Sequence, residues 1–221
     1  MTTQAFGTAM RIEPVVLTDE STVVGLYESQ RDADRGHQTE AQLEAVFIEQ
    51  LRAQAYEYVT FGSEEALIAN LRAQLESLND YRFTDAEWTR FFNTSIATRT
   101  GGADEIAEKT RRIQEDHVQV LVRDTGESKN IRLIDKHHIH NNRLQVTNQY
   151  AVDSGAHVNR YDVTILVNGL PLVHIELKRR GVEIREAFNQ INRYQRSSFW
   201  AGSGLFGYVQ IFVISNGTHT K

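Results

Sequence analysis

The sequence predicts an α/β fold in which a mixed β-sheet is flanked by helices. One observation is a capping-box pattern at residues 39–42, after which apolar residues recur at helical spacing as far as residue 55. A helical pattern also covers about 182–200. The third observation is a set of strand-like runs, at residues 143–150, 160–167, 171–178 and 207–214. We therefore expect about four core strands, with helices beginning at Thr39 and Val182 against the sheet.

Composition narrows the class of protein. The chain has 221 residues, of which 40% are hydrophobic, as in ordinary globular domains. It has no cysteine, which excludes disulfides, cysteine-based zinc sites and a thiol nucleophile. It has neither a secretion-signal pattern nor an apolar run of about 18 residues, so we expect a cytoplasmic protein without membrane contact. Because the formal net charge is −5, nucleic-acid binding would require a local basic patch.

The chain is expected to form one domain over residues 1–221. Its core is predicted from 39–61 and 143–217, and a helical insertion is predicted over about 63–115. The segment 1–36 is weakly patterned, with two short strand-like runs. Since the chain stops directly after a strand and a turn, we expect it to be the N-terminal part of a longer subunit.

A hairpin is predicted around Asn168-Gly169, since Asn-Gly between two strands is a strong turn signal. A two-residue turn would set Asp162 opposite Ile175, whereas a three-residue loop, 168–170, would set it opposite Glu176. Residues that face each other across a ladder share a face of the sheet. Only the longer loop keeps the polar even-numbered residues apart from the apolar odd-numbered ones, so we predict the three-residue loop.

The predicted register places Asp162 beside Glu176, with Lys178 on the same face. Two carboxylates at such a distance repel each other unless a cation lies between them, and Mg²⁺ accepts oxygen ligands of this kind. A metal-activated water could then attack a phosphate, with Lys178 orienting it or stabilising charge on phosphorus. The alternative is a solvated sheet face on which Lys178 neutralises Glu176. Spacing alone leaves both interpretations open.

Two further groups of residues extend the candidate site. Glu40 and Glu44 fall on the apolar side of the first helix, where a cation would explain a carboxylate, although Glu40 could simply complement the helix dipole. Five arginines near the hairpin form a local basic patch that could hold phosphates, or an ordinary solvated helix face. They are Arg179, Arg180, Arg185, Arg193 and Arg196.

The order of these features resembles the N-terminal endonuclease domain of type I restriction-enzyme motor subunits, a member of the PD-(D/E)xK nuclease superfamily. The resemblance rests on four segments and is dense over residues 143–217. They are Asn148-Gln149-Tyr150, Tyr161-Asp162, the run Asn168-Gly-Leu-Pro-Leu-Val-x-Ile-Glu-Leu-Lys178, and Gln190-x-x-x-Tyr194. Tyr161 stands where the superfamily name has proline, but metal binding needs only the aspartate side chain.

The resemblance implies a fold, an activity and partners. It implies a restriction-endonuclease-like core that cleaves double-stranded DNA with Mg²⁺, alongside specificity and methyltransferase subunits. Asp162, Glu176 and the Leu177 carbonyl would hold the metal, with Glu40 or Glu44 as a further carboxylate, and Lys178 would act on the water or the transition state. Gln190 and Tyr194 would contact DNA or support the site, and Arg179, Arg180 and Arg193 of the basic patch are expected to contact DNA beside them. The chain lacks a Gly-x-x-x-x-Gly-Lys-Ser/Thr loop, so the family's ATP-driven motor is not expected on it.

Two other hypotheses remain. The chain could be a catalytically inert, nuclease-like module that docks DNA or other subunits, although an inert relative would not need Asp162, Glu176 and Lys178 together. A metal site at His137, His138 and His140 is the other hypothesis. Closed zinc sites need four ligands in a set geometry, and no further ligand cluster accompanies these histidines, so a solvated loop is the stronger expectation.

Overall fold

A computed structural model describes most of the chain. The described residues are 12–17, 23–28, 39–97, 103–153, 158–180, 182, 189 and 203–221. The predicted helix over about 182–200, with its Gln190, Arg193 and Tyr194, lies outside the described residues, apart from positions 182 and 189. Among the helices of the described residues, none has an apolar stretch of the length that spanning a membrane requires.

The main sheet is mixed and has eight strands in the order β1-β2-β10-β9-β8-β7-β6-β3. Its strands are β1 (Ile12–Leu17), β2 (Val23–Glu28), β3 (Glu57–Tyr58), β6 (Leu144–Asp153), β7 (Val158–Val167), β8 (Leu170–Leu177), β9 (Ile211–Ser215) and β10 (His219–Thr220). The pairs β8–β9 and β3–β6 are parallel, and the other neighbours are antiparallel. The four predicted core strands lie side by side as β6 to β9, and the sheet continues with β10, β2 and β1 at one edge and β3 at the other.

Helices cover both faces of this sheet. Four α-helices are described: α1 (Glu40–Ala53), α2 (Glu64–Asn79), α3 (Asp85–Phe91) and α4 (Ala103–Gln114). A π-helical turn, Phe92–Ile96, continues α3, and a separate hairpin pairs β4 (Val118–Val122) with β5 (Ser128–Arg132). The predicted capping box is confirmed, since the Thr39 hydroxyl accepts a hydrogen bond from the Gln42 N–H and the Gln42 side chain accepts one from the Thr39 N–H.

The sheet separates two apolar cores. The smaller core contains Ile48 and Leu51 of α1, packed against Val146, Val163 and Ile175 of the sheet. The larger core joins the predicted insertion to the other face, where leucines of α2 and aromatic residues of α3 pack with sheet residues. Both faces of the central strands are therefore covered, as hydrophobic burial favours for strands in the middle of a sheet.

The hairpin between β7 and β8 corrects the predicted loop. Asn168 and Gly169 have φ values of 51° and 82° and form a two-residue turn, with Val167 paired to Leu170. Positive φ at both central residues is the conformation that Asn-Gly turns favour. A register shift between Ile165 and Leu166 then absorbs one extra residue, so that Val163 faces Ile175. The three-residue loop was therefore wrong, but the predicted register near the candidate site is confirmed.

Candidate active site

The β7–β8 hairpin brings Asp162 and Glu176 together. The ladder pairs Val163 with Ile175, and on each strand this pair lies one residue nearer the turn than the carboxylates do. The main-chain N–H of Leu177 donates a 2.9 Å hydrogen bond to Asp162 Oδ2. The predicted proximity of the two acids therefore has a direct structural basis in the register of the hairpin.

The sheet is irregular where Asp162 lies. The ladder between β6 and β7 pairs Asn148 with Val163 and Tyr150 with Tyr161, and Gln149 between them has a φ of 51°. Tyr161 packs into the larger core, whereas Val163 packs into the smaller one. Because residues two apart normally share a face, the alternation is broken at Asp162. At this irregularity the Asp162 carboxylate accepts the hydrogen bond from Leu177 of β8.

Glu176 is fully buried, with 0% of its surface exposed. Its Oε1 accepts a 2.9 Å hydrogen bond from Lys178 Nζ, so the two residues form an ion pair. Its Oε2 is buried, accepts no hydrogen bond from the described residues and lies 3.6 Å from His174 Nε2. The interpretation of this strand face as solvated is therefore wrong at Glu176.

Asp162 and Lys178 have perturbed acidities. Burial, followed by the negative charge of Glu176, raises the pKa of Asp162 to about 7. For Lys178, burial disfavours the charged ammonium, but the hydrogen bond to Glu176 and the neighbouring carboxylate charges outweigh it, so the pKa of Lys178 is raised. Lys178 is thus held as a cation, and Asp162 is held close to its point of protonation in the absence of metal.

The two helix glutamates approach the site from α1. Glu40 Oε1 accepts a 3.2 Å hydrogen bond from the main-chain N–H of Arg179, directly after Lys178. Glu44 accepts hydrogen bonds from Asn148 and Gln149, the latter at 2.7 Å, and its charge also raises the pKa of Asp162. Both glutamates therefore lie beside the hairpin, and each is held by a neighbour of the candidate catalytic residues.

The oxygen atoms of Asp162 and Glu176 are the groups of this site that could hold a cation. Within the described residues, no group of three or more His, Asp or Glu side chains is arranged to hold a metal ion. The predicted set, with the Leu177 carbonyl and one α1 glutamate, is thus gathered in one region without forming a closed metal cage. Mg²⁺ commonly uses one or two protein carboxylates and retains several waters, so it does not require such a cage.

The remaining predicted residues fall into two groups. Arg179 is exposed directly after the site, and the Arg180 guanidinium donates to the Gly217 carbonyl at 3.4 Å. The other predicted contact residues, Gln190, Arg193 and Tyr194, belong to the segment that the structure does not describe.

The three histidines of the alternative metal site lie in an exposed turn. Asp135 organises this turn by accepting hydrogen bonds from the main-chain N–H groups of His137 and His138. The rings of His138 and His140 meet edge to face, with centroids 6.0 Å apart. The turn is thus held by a carboxylate of the chain itself.

His174 is the residue of the site that sequence reasoning missed. It lies on β8 two residues before Glu176, has 0% of its surface exposed and faces the Glu176 carboxylate. A signal was present, because His174 shares the parity of Glu176 and Lys178 along the strand. A polar residue at that spacing on a buried strand indicates a neighbour of the acidic site.

Comparison with known proteins identifies the family of this chain. The family model "Type I restriction enzyme R protein N terminus" matches residues 37–221. The chain is 45% identical over 210 residues to the Type I restriction enzyme EcoprrI endonuclease subunit of Escherichia coli, which covers 95% of this chain and 66% of that protein.

Staphylococcal proteins are also similar. The chain is 41% identical over 190 residues to the SsaAORF53P endonuclease subunit of Staphylococcus saprophyticus, and 40% identical over 190 residues to the SauMSSORF170P endonuclease subunit of Staphylococcus aureus. Both matches cover 84% of this chain but 19% of the relative. The chain thus spans about two thirds of the Escherichia coli relative and about a fifth of the staphylococcal ones.

Proposed function

The chain belongs to the family of type I restriction enzyme R protein N termini, and we propose that it is the endonuclease domain that hydrolyses DNA phosphodiester bonds with Mg²⁺. The observation that carries the proposal is the grouping of Asp162, Glu176 and Lys178 on one hairpin, with Glu176 buried and Lys178 bound to it. Charged groups are rarely buried without a functional or structural partner.

The charges of this group support a divalent cation. Asp162 and Glu176 carry two negative charges when ionised, and Lys178 offsets one of them. The pKa of Asp162, raised to about 7 by burial and by Glu176, shows that the metal-free site disfavours its second negative charge. A buried Glu176 oxygen also accepts no hydrogen bond from the described residues. A hard cation bound by these carboxylates would relieve both effects.

The roles of the residues follow from their positions. Asp162, Glu176 and the Leu177 carbonyl would hold Mg²⁺, which supplies a water of lowered pKa and charge stabilisation at phosphorus when it is bound. The ammonium group of Lys178, fixed by Glu176, would orient the attacking water or stabilise the developing negative charge. Glu40 or Glu44 would add a carboxylate from α1. Arg179 and Arg180, with Gln190, Arg193 and Tyr194, would contact or position the DNA.

We further propose that the chain acts in a complex with other subunits. The relatives are named as endonuclease subunits of type I restriction enzymes, so we place this chain in the restriction subunit of such an enzyme. The DNA sequence would be recognised by a specificity subunit, and methyltransferase subunits would be part of the same complex. ATP would serve the motor region of the longer restriction subunit.

The decisive experiment introduces Lys178→Ala into the full-length restriction subunit, assembled with its partner subunits. Plasmid cleavage and ATP hydrolysis are measured in the same reactions with Mg²⁺. Loss of cleavage with intact ATP hydrolysis is expected, because the substitution removes the ammonium group of Lys178 from the site and leaves the motor unchanged. Lys129→Ala, on the β4–β5 hairpin, serves as the lysine control and should cleave normally.

Undiminished cleavage by Lys178→Ala would mean that this hairpin is not the cutting site. The hypothesis that the chain is a catalytically inert docking module would then be the better one. Unchanged circular dichroism and thermal unfolding of the variant are required to separate loss of chemistry from loss of folding.

A further inference from the structure

His174 is a buried histidine that the proposed chemistry does not use. Its ring packs edge to face against Tyr161 and Phe212, with centroid distances of 5.2 Å and 6.3 Å. Its Nε2 atom lies 3.6 Å from Glu176 Oε2, and both side chains have 0% exposure. The ring is thus confined between two aromatic side chains while one nitrogen faces the buried carboxylate.

The two oxygens of Glu176 have different surroundings. Lys178 donates a hydrogen bond to Oε1 at 2.9 Å, whereas Oε2 accepts none from the described residues. A buried polar oxygen without a hydrogen-bond donor costs free energy. The 3.6 Å separation between His174 Nε2 and Glu176 Oε2 is longer than a formed hydrogen bond, and the two atoms are close neighbours.

We propose that His174 is a positioning residue, whose Nε2–H donates to Glu176 Oε2 and fixes the plane of the carboxylate for a divalent cation. This inference rests on the proposed function of the hairpin. Each carboxylate oxygen has two lone-pair directions, so Oε2 can accept from His174 and still face a metal. Carboxylates that bind metals are commonly oriented by such an outer hydrogen bond. Lys178 and His174 then hold the two oxygens from opposite ends.

A purely structural role for His174 makes the opposite prediction. If the ring acts only by packing against Tyr161 and Phe212, His174→Phe should preserve the site and His174→Gln should damage it. If the N–H group matters, His174→Gln should preserve the site, because its amide retains a donor, and His174→Phe should damage it. The two variants therefore distinguish the roles directly.

The experiment measures Mg²⁺ binding to the chain without DNA, by titration calorimetry with MgCl₂. It also measures the Mg²⁺ dependence of plasmid cleavage by the assembled enzyme. His174→Phe is expected to weaken Mg²⁺ binding and to raise the half-maximal Mg²⁺ concentration by about tenfold or more. His174→Gln should remain close to wild type in both measurements. Thr164→Val is the matched control, because Thr164 pairs with His174 across the ladder and its buried hydroxyl has no hydrogen-bond partner in the described part of the chain.

Several outcomes would overturn the inference. Wild-type Mg²⁺ binding and cleavage in His174→Phe, or a defect confined to His174→Gln, would show that only packing matters. If His174→Phe does not fold, His174→Met takes its place, since methionine fills irregular apolar space without an N–H donor. Normal cleavage by Lys178→Ala would refute the proposed function itself. An inactive Lys178→Ala beside a normal His174→Phe would refute only the positioning role.

Discussion

Lys178 and Glu176 form an ion pair in the interior of the hairpin, with Nζ 2.9 Å from Oε1 and the glutamate fully buried. Removing one partner of such a pair leaves a charge without water or counter-ion, which is why buried pairs act as units. Asp162 is the third charge, and the pair leaves it uncompensated. The site therefore combines one neutral unit with one acid of raised pKa.

The first prediction concerns Asp162 in the absence of metal. The pKa of Asp162 is raised from 3.8 to about 7 in the folded chain, so between these values the folded state retains a proton that the unfolded state has lost. Stability should therefore fall as the pH rises from about 4 to about 7. Asp162→Asn removes this titration and retains an oxygen for the Leu177 N–H.

In EDTA, Asp162→Asn should therefore stabilise the chain more at pH 8 than at pH 5. One pKa unit corresponds to about 1.4 kcal/mol, so the difference should exceed about 1 kcal/mol in urea unfolding. MgCl₂ at pH 8 should reduce the advantage of the variant, because only the wild type has the second carboxylate. An equal effect of the substitution at both pH values would contradict this account.

The second prediction concerns Gly169 in the hairpin turn. Its φ is 82°, and a Cβ atom there would lie 2.6 Å from the main-chain Cα of Leu71 in α2. Gly169→Ala therefore adds a backbone clash to the cost of the left-handed conformation. Gly126→Ala is the matched control, because Gly126 has a φ of 85° and open space around its Cβ position.

Both glycine variants should lose about 1–2 kcal/mol from the left-handed backbone alone. Gly169→Ala should lose about a further 1–3 kcal/mol, since α2 must shift to accommodate the methyl group. Chemical denaturation of the two variants measures the difference. Equal losses of stability in the two variants would show that α2 can move away from the turn without a cost in free energy.

The sequence pattern predicted which residues of the hairpin share a face of the sheet, but not the position of the extra residue. Separation of polar from apolar positions predicted that Val163 and Ile175 face each other, and the ladder has this pair. It could not place the extra residue, because a two-residue turn with a bulge near Leu172 and a longer loop give the same register beyond the bulge.

The sequence pattern also could not predict that the polar face of β8 is buried. Alternation along β8 is typical of a half-exposed strand, yet His174 and Glu176 are both fully buried. Their burial involves elements distant in sequence, such as β9, where the ring of Phe212 packs edge to face on His174 with centroids 6.3 Å apart. Local periodicity carries no information about such tertiary cover.

The third prediction concerns Asp135, which organises the histidine turn. Hydrogen bonds from the Asn141 side chain and the main-chain N–H of His138 lower the pKa of Asp135 from 3.8 to about 2. A lowered folded pKa contributes stability above the unfolded value, and this contribution is lost as the pH falls toward 2. Asp135→Asn should destabilise the chain at pH 7, and the gap to wild type should narrow at pH 3. Thermal unfolding at the two pH values measures the difference in stability between the variant and wild type. A difference that does not change with pH would exclude the carboxylate charge as the cause.

The fourth prediction concerns Lys109, which is buried within α4 with 1% of its side chain exposed. Its ammonium group donates to Glu105 Oε1 at 2.6 Å and to the Gly204 carbonyl at 2.8 Å, so it ties α4 to the segment before β9. Lys109→Met leaves Glu105 as a buried acid without this cation. Breaking a buried pair in this way costs about 3–5 kcal/mol.

The double variant Lys109→Met/Glu105→Leu separates charge from packing. Removing both charges also removes the buried acid that lost this cation, so it should recover most of the stability lost by Lys109→Met. A double-mutant cycle from urea unfolding gives the coupling. The hydrogen bond to the Gly204 carbonyl is lost in both variants and contributes to the part of the stability that is not recovered. If the double variant is as unstable as the single one, the loss of stability does not come from the Glu105 charge.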